Sequence, residues 1–474
     1  MYLGGYRTRR SARSAAAGRR GISLAALTIA ATAVGGAAVF DSSTASAQVQ
    51  PASAPGTASN QEFEDLFQQV LRDPANLELT LRYATVATKI GDFEAAVTAL
   101  ERILFFNPNL PEVRLELGVL YYRLGSYAVA RNYLTEARDA PTLSPEQKAL
   151  AEQYLSSIAK LDSRHRLSGQ VFAGFQHQTN ANLGPSSAVR VFGFDATLDS
   201  RFTKQSDQSF FASGSAIYSY DLQDQDRDSI EVTAQAYASH YTRQHDFDLG
   251  YLETTAGPRS SLATWGLNGF SVRPYVLANY VQLGRDPFFH TYGAGLEASQ
   301  ELRPDLFLKG IYERREKNFE NAPDRTTSRL LNGHDDTFTL SLAAAPFRNH
   351  VVTLSGNITG QSTRVDSYSN LGYGAAVSYQ ITYAPPVDLK LGPAPWQTAF
   401  ILGRTWTNYD GPDPIVDPGA TRFDRRWHFG IAQSVAITDD VSINVLLFRD
   451  IVSSTLPNYS FNNTSVLIGP QVRF

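Results

Sequence analysis

The chain has 474 residues and a mass of 52.1 kDa, which is too long for one ordinary domain. A net charge of −4 and a pI of about 6.1 imply no nucleic-acid partner. The absence of cysteine excludes disulfides, Cys-ligated zinc and acylation as a lipoprotein. A mean hydropathy of −0.24 suits a soluble protein, but also a transmembrane barrel, because half of each strand then faces a polar lumen.

Residues 1–47 are predicted to be a signal peptide. Six arginines between positions 7 and 20 precede an apolar stretch over 21–40, and Ala45-Ser46-Ala47 fits a small-residue cleavage site. An uncleaved anchor is the alternative, since about 20 residues can span a bilayer. The glycines and alanines that dilute the stretch favour cleavage. Residues 48–60 are rich in Pro, Ala, Ser and Gly, and this composition predicts a linker.

Residues 61–162 have helical periodicity and repeat themselves every 34 residues, which is the period of the tetratricopeptide repeat. The matching positions are Pro74 and Pro108, Gly91 and Gly125, Phe93 and Tyr127, Ala96 and Ala130, and Leu100 and Leu134. The pattern predicts half a repeat (61–74), two full repeats and a capping helix near 145–160. An ordinary helical bundle is the alternative.

The glycines of this module have predicted structural roles. Gly91 and Gly125 would occupy turns that need a left-handed backbone, and Gly118 would let paired helices approach closely. Repeat arrays present a concave face to protein ligands. Candidate client-binding residues on that face are Glu78, Leu81, Thr85, Glu112, Leu115, Val119 and Tyr122. The pattern leaves open whether they bind a client or only form a solvated face.

After residue 165 the apolar period changes from 3.6 to 2, which predicts a transmembrane antiparallel β-barrel over 165–474. Runs at 230–239, 337–344, 352–359 and 441–448 are long enough to span an outer membrane as tilted strands. Strands can cross a bilayer only in a closed sheet, because an open edge leaves backbone groups unpaired. A soluble β-sandwich is the alternative. Thr, Ser, Asn and Gln on the expected inner faces favour a barrel with a wet lumen.

Fifteen candidate strands can be marked, including one at 190–203, but bacterial single-chain barrels have an even number. Short turns at 346–349 and 438–440 fall on one side, and long loops at 318–333, 410–421 and 452–463 on the other. Reading back from Phe474 and reading forward from a periplasmic first strand place the strand ends on opposite sides. The number of strands is therefore wrong by one upstream of about residue 270. Either 14 or 16 strands would satisfy both ends.

The final segment alternates apolar and polar residues from Thr464 to Phe474, with Leu467 as the one break. A chain that stops on such a strand with an aromatic residue resembles the closing strand of a bacterial outer-membrane barrel. Val472 and Phe474 are therefore the candidate barrel-assembly signal.

A signal peptide, a short tetratricopeptide module and a carboxyl-terminal barrel together resemble the surface lipoprotein assembly modifier (Slam) family. Weaker similarities lie at 174–185, 256–259 and 273–275. The resemblance favours 14 strands and implies an outer-membrane translocon with its repeats in the periplasm. It also implies a client lipoprotein or secreted protein, the barrel-assembly machinery and outer-membrane lipids as partners, and no cofactor. A lipidated client would leave between the first and last strands.

Other functions remain open. A tetratricopeptide-barrel exporter of an exopolysaccharide is the main alternative, although such exporters carry more repeats, and a passive porin is a third. No catalytic site is predicted, because the clusters at 334–336 and 245–248 are better explained as polar strand ends or turns. Asp410, Asp413 and Asp417 could bind calcium, but the prolines among them favour a solvated loop. Asn180 and Asn182 are predicted to form a rim turn.

Overall fold

A computed structural model describes residues 57–73, 76–161, 163–224, 228–386 and 395–474. The predicted signal peptide and residues 48–56 of the linker lie outside this part. The chain divides into two compact units, a helical one that ends at Ser163 and a β unit that starts at Arg164.

The helical unit contains six described helices. Their bounds are α1 Thr57–Arg72, α2 Leu77–Ile90, α3 Phe93–Phe106, α4 Pro111–Arg123, α5 Tyr127–Asp139 and α6 Pro145–Leu161. The hairpin of α2 and α3 recurs as α4 and α5 at the predicted repeat period, and α6 follows as the predicted extra helix. Helix α1 begins inside the segment predicted as linker, because 57–60 contain no proline or glycine to end a helix. Within the described ranges, none of the helices combines the length and apolar character that a membrane span needs.

Small residues have the predicted roles in this unit. Gly91 and Gly125 have φ values of +87° and +77°, a conformation that side chains with a Cβ rarely adopt. A Cβ added at Gly118 would lie 2.5 Å from the Leu134 side chain, so α4 and α5 pack too closely there for a larger residue. Leu134 and Ala130 are fully buried at this contact.

The β unit has sixteen described strands, of which fourteen form a closed antiparallel barrel, the number that the family resemblance favoured. Their bounds are β1 His165–Gln178, β2 Ala188–Val191, β3 Phe194–Thr197, β4 Asp207–Asp221, β5 Ser229–Tyr241, β6 Leu249–Ser261, β7 Phe270–Leu283, β8 Asp286–Arg303, β9 Leu306–Phe319, β10 Gly333–Phe347, β11 His350–Thr363, β12 Asn370–Tyr383, β13 Trp396–Asp413, β14 Asp417–Ala436, β15 Val441–Ser454 and β16 Phe461–Arg473. In the barrel β1 pairs with β4, the strands from β4 onward pair in chain order, and β1 pairs with β16 to close the sheet.

The predicted strand at 190–203 is not part of the barrel. Strands β2 and β3 instead form a separate two-stranded hairpin. Phe192 and Gly193 turn the chain between them with φ values of +50° and +81°. Two positive φ values fit the tight turn that suits a two-residue hairpin. The surplus strand therefore lies upstream of residue 270, where the conflict between the two readings had located it.

The two ends of the barrel differ. We call the end that holds His165 and Phe474 the terminal end, and the opposite one the loop end. Turns at 348–349 and 437–440 lie at the terminal end, and the connections at 320–332 and 455–460 lie at the loop end, as predicted. The expected long loop at 410–421 is wrong, because β13 and β14 leave only 414–416 between them. Residues 384–395 connect β12 to β13 at the terminal end.

The outer surface of the barrel is apolar. Outward-facing Leu340, Ile358, Leu402, Leu447 and Ile468 are each between 40% and 55% exposed. Aromatic side chains flank this band at both ends. Those at the loop end include Tyr280, Tyr292, Tyr312, Tyr373 and Trp406, and those at the terminal end include Phe347, Tyr379 and Phe474. An apolar band between two aromatic belts is the surface that a bilayer requires.

Candidate functional site: the lumen and the seam between the first and last strands

One part of the lumen wall is apolar and closely packed. Phe172, Phe211, Leu446, Phe448 and Leu467 face inward from β1, β4, β15 and β16, and each is at most 6% exposed. Side chains that line an open pore stay accessible to water, so this part of the wall is packed and does not line an open pore. The polar inner face predicted from the sequence is therefore not found on this part of the wall. Leu467, the one break in the alternation of the final strand, belongs to this cluster.

The wall formed by β5 to β10 carries partly buried ion pairs. Arg259 contacts Glu231 at 2.7 Å and Glu297 at 2.8 Å, and Arg315 contacts Glu253 at 2.6 Å. Removing one partner of such a pair leaves a partly desolvated charge without its counter-ion and is destabilising. These pairs link several strands across the inner surface, so we expect this wall to move as one rigid piece.

A strip of small polar side chains runs along the inner face of β10 to β12. It includes Thr337, Thr339, Ser355, Asn357 and Ser378, all of them half-buried rather than buried. Thr337 shares a hydrogen bond of 3.2 Å with Thr359 on the neighbouring strand. The water-accessible part of the lumen therefore lies beside these strands, opposite in character to the apolar cluster.

The seam between β1 and β16 is intact at the terminal end. Gly169 and Phe474 exchange two backbone hydrogen bonds, of 2.9 and 3.0 Å. In an antiparallel ladder such pairs alternate with pairs that exchange none. At the other end of the seam the Thr179 amide donates to the Thr464 carbonyl at 3.0 Å, in the same register.

The ladder is interrupted in the middle of the seam. Counting by twos from Gly169 and Phe474 places Ala173 opposite Pro470 at a position that should exchange hydrogen bonds. Proline has no N–H, so the Ala173 carbonyl cannot receive one from this partner. On β1 the paired positions are accordingly 170–172 and 175–178, and residues 173 and 174 are not paired in the ladder.

Two glycines adjoin the interruption. A Cβ at Gly174 would lie 2.0 Å from the Ile468 carbonyl oxygen, and one at Gly469 would lie 1.9 Å from the Ala173 carbonyl oxygen. Real Cβ atoms essentially never come so close to backbone, so both positions require glycine in this arrangement. The strands therefore approach each other closely here while lacking a regular ladder.

The loop end of the seam is latched by side chains. Asn180 is completely buried, and its backbone amide donates to Asn463 Oδ1 at 3.0 Å. Its side-chain nitrogen donates to the Asn462 carbonyl at 3.1 Å and to the Gly184 carbonyl at 2.9 Å. The predicted rim turn is confirmed, and it joins the end of β1 to the start of β16.

The β2–β3 hairpin extends this latch, and we call residues 188–197 the strap. The Arg190 guanidinium donates to Asp417 Oδ2 at 2.8 Å, and its backbone amide donates to Asn458 Oδ1 at 2.8 Å. Phe192 and Gly193 donate backbone hydrogen bonds of 2.8 and 3.0 Å to the carbonyls of residues 415 and 416. The strap thus joins the loop after β1 to the tips of β13 to β16 and spans the seam.

A buried polar cluster supports the strap's attachment. The Tyr459 hydroxyl donates to Asp413 Oδ2 at 2.7 Å, and the Arg422 guanidinium lies 3.5 Å from the centre of the Tyr459 ring. Burial, more than any single neighbour, raises the pKa of Tyr459. Asp413 and Asp417 are buried and accept hydrogen bonds from Tyr459 and Arg190, so the prediction of a solvated loop is wrong for both.

Replacing Pro470 tests whether the missing N–H interrupts the seam. Pro470→Ala restores the missing N–H and should slow amide exchange along β1 and β16, as measured by hydrogen–deuterium exchange of the folded barrel. Overall stability is a poor readout, because a hydrogen bond contributes about 0.5–1.5 kcal/mol while losing proline costs about 0.4–1 kcal/mol through the unfolded chain. Pro274→Ala in β7 is the matched control. Unchanged exchange at the seam would mean that Pro470 does not interrupt it.

The candidate assembly-signal residues lie at the terminal end of the seam. Val472 faces outward on β16 and is 44% exposed, and Phe474 follows the strand with 56% of its surface exposed. Their role in assembly stays a prediction. The ring of Phe474 also covers Gly169, where an added Cβ would lie 2.6 Å from it.

The candidate client-binding residues divide into two groups. Glu78, Leu81 and Thr85 are exposed on α2, and so is Glu112 on α4. Leu115 and Val119 are 4% and 9% exposed, and Tyr122 is partly covered. These three pack in one cluster with residues of α5 and α6, so the capping helix covers the face that α4 was expected to present.

The two histidine clusters noted in the sequence differ. His334 and Asp336 face outward on β10, whereas Asp335 faces inward and pairs with Lys317, so 334–336 do not converge. In the second, His245 and Asp248 are joined by His240 from the preceding strand. Sequence inspection missed His240 because it lies within a strand and outside the 245–248 motif.

The closed sheet, the apolar outer band and the partly polar interior define a membrane-spanning β-barrel. No family model matches the chain, and no curated protein matches it in sequence. Among solved structures, an outer-membrane channel from Pseudomonas putida F1 is 13% identical over 65% of this chain and 95% of its own, with a TM-score of 0.34. A bacterial polysaccharide outer-membrane secretin is 11% identical over 66% and 100%, with a TM-score of 0.35.

The helical part has its own distant neighbour. PcrH from Pseudomonas aeruginosa is 16% identical over 23% of this chain and 96% of its own, with a TM-score of 0.17. Likenesses this distant carry no argument about function, which must therefore come from the geometry of the barrel.

Proposed function

We propose that this protein is an outer-membrane translocon that moves specific proteins, lipid-anchored or soluble, from the periplasm to the cell surface. In this proposal the client leaves sideways through the seam between β1 and β16. The terminal end of the barrel faces the periplasm, because short turns favour that side. The helical repeats then lie in the periplasm and engage the client.

The observation that carries the proposal is the interrupted ladder at Pro470. All other neighbouring strands of the barrel follow one another along the chain. Strands β1 and β16 are instead the first and last strands of the barrel sequence. A seam that lacks a central hydrogen bond costs less to open than an intact one. The packed apolar part of the lumen wall supports the same route, because its buried side chains obstruct straight passage beside β1, β15 and β16.

The chemistry of a lipidated client also fits a lateral exit. Its acyl chains would have to cross the polar strip and the ion pairs if they travelled through the lumen, and burying apolar chains beside charges is unfavourable. An open seam lets acyl chains pass into the bilayer while the polypeptide stays in the barrel. No phosphate-binding motif is present in the sequence, so transport would draw on client folding outside the cell or on hand-over from another machine.

The direct test removes the gene and compares surface-exposed proteins by protease shaving of intact cells. We expect one or a few proteins to disappear from the surface and accumulate in the periplasm, and a plasmid copy to restore them. An unchanged set of surface proteins would refute the proposal.

A second candidate, export of an exopolysaccharide, is favoured by one observation. The strip of hydroxyl and amide side chains along β10 to β12 offers hydrogen bonds to a sugar polymer. The same deletion strain discriminates the two, because loss of cell-associated carbohydrate with intact surface proteins would support the polysaccharide.

The exposed face of α2 yields a separate prediction. Replacing Leu81 and Thr85 by arginine should reduce client export strongly, because the added bulk and charge would lie on the surface that a client contacts. The barrel should still fold and insert. Leu150→Arg, at a similarly exposed leucine on α6, is the control. Equal export by both variants would show that this face of α2 does not bind the client.

A further inference from the structure

The short connection between β5 and β6 brings three metal-binding side chains together at the loop end of the barrel. His240 lies near the end of β5, His245 lies in the connection, and Asp248 precedes β6. His240 Nδ1 is 2.7 Å from Asp248 Oδ2, and His245 Nδ1 is 3.7 Å from the same oxygen. One ligand atom from each residue lies within 4.8 Å of the others.

These separations suit a small divalent ion. Zinc binds imidazole nitrogen at about 2.0–2.1 Å and carboxylate oxygen at about 2.0–2.2 Å, so two ligands in a tetrahedral site lie about 3.3–3.5 Å apart. The separation between His245 and Asp248 is already close to that value. The shorter contact between His240 and Asp248 is a hydrogen bond that needs only a small side-chain rotation to widen. The two imidazole rings stack with centroids 5.0 Å apart, which keeps them close together.

Hydrogen bonds to Asp207 fix the backbone of the connection that carries these residues. This carboxylate is 1% exposed and accepts hydrogen bonds from the Thr242 hydroxyl and from the amides of Arg243 and Gln244, at 2.6, 2.9 and 2.8 Å. Arg243 also pairs with Asp207, which directs that cation to this carboxylate. A ligand set on a pre-shaped loop loses little conformational freedom on binding.

Asp248 itself is oriented for ligation. Its Oδ1 atom accepts the Tyr241 amide at 2.7 Å, which leaves Oδ2 directed at the two imidazoles. The histidine side chains are accessible, with 69% of His240 and 49% of His245 exposed. An ion can therefore enter from the medium, and three protein ligands leave a fourth position open to water.

We propose that His240, His245 and Asp248 form a binding site for one zinc-type divalent ion at the loop end of the barrel. The ion ties the end of β5 to the start of β6. This site is independent of the proposed transport function, because it lies away from β1 and β16 and requires no client.

The test uses the full mature chain without a histidine tag, folded in detergent and stripped of metal by EDTA. Titration calorimetry with zinc chloride should show one ion per chain. His240→Ala and His245→Ala should each weaken binding by at least about 10-fold, and the double variant should abolish it. Asp248→Asn should also weaken binding while keeping an Oδ1 atom that can accept the Tyr241 amide.

His177→Ala is the matched control, because His177 is also an exposed histidine near the loop end of a strand and should leave zinc binding unchanged. Heat-dependent migration in gels confirms that each variant is folded. The proposal is overturned if the wild-type chain shows no saturable zinc binding, or if the folded double variant binds as tightly as the wild type. In either case the His240–Asp248 contact is only a brace within the loop.

Discussion

Cross-linking β1 to β16 is expected to abolish client export while leaving the barrel folded and inserted. Gln170 lies directly opposite Arg473 below the interruption, and Gln178 lies opposite Ser465 above it. Both are positions without reciprocal hydrogen bonds, where Cα atoms lie about 4.5 Å apart, within the range that a disulfide spans. The natural chain contains no cysteine, so a pair of introduced thiols has no other partner.

The measurement compares export before and after reduction of each cysteine pair in separate variants. Export should be blocked in the oxidised form and recover when the disulfide is reduced. Ser215→Cys with Gln235→Cys is the matched control, because these residues are opposite each other between β4 and β5, away from the seam, at a position of the same kind. Full export with the seam disulfides formed would exclude a lateral exit.

Replacing Gly174 by alanine is expected to prevent normal closure of the barrel. The added methyl carbon would lie 2.0 Å from the carbonyl oxygen of Ile468, and backbone in a ladder cannot move aside as a flexible side chain can. Overpacking in a well-packed interior typically costs about 1–3 kcal/mol, and a clash with backbone belongs at or above that range. The variant should lose the heat-dependent gel shift of a folded barrel, or unfold at lower urea concentration.

Gly360→Ala is the control for this experiment. Gly360 also lies within a barrel strand, but a Cβ built there meets nothing within 4 Å. It should fold like the wild type. If both alanine variants are equally stable, the close approach of β1 and β16 at Gly174 is not required for closure.

The sequence was sufficient for the architecture because both units carry strong periodicity. The repeat spacing predicted two helical repeats, which are α2–α3 and α4–α5, and period-two alternation predicted the barrel strands. It failed at 190–203, because Val189, Val191 and Phe194 have the composition of a strand although Phe192 and Gly193 turn the chain between them. Short-range pattern does not distinguish a membrane strand from a small hairpin outside the sheet.

The apolar part of the lumen could not be predicted by the same means. In β15, Leu446 and Phe448 stand beside the outward-facing Val445 and Leu447, so the segment is apolar on both faces. Alternation then gives no sign of which face holds water. The burial of the inner residues depends on what adjacent strands place beside them, which includes Phe172 from β1 and Leu467 from β16.

The candidate site depended on register that no local pattern contains. The sequence marks Pro470 as one more residue of an alternating strand. Its effect depends on whether the missing N–H would have faced β15 or β1. That direction follows only from the pairing of Gly169 with Phe474, which lie at opposite ends of the barrel sequence. The covered face of α4 was missed for a similar reason, because α6 lies beyond the repeat that the periodicity describes.

The strap has a consequence for the order of assembly. Arg190 and Asp417 are separated by 227 positions in the chain, so their contact carries a large loop-closure entropy and is expected to form late. It needs the hairpin tip between β13 and β14, and Asn458 beyond β15, to be in place first. A nascent barrel would thus pass through a state in which the sheet is curved but its first and last strands are not yet joined. The cell must protect these two unpaired edges from neighbouring chains until the final contacts form.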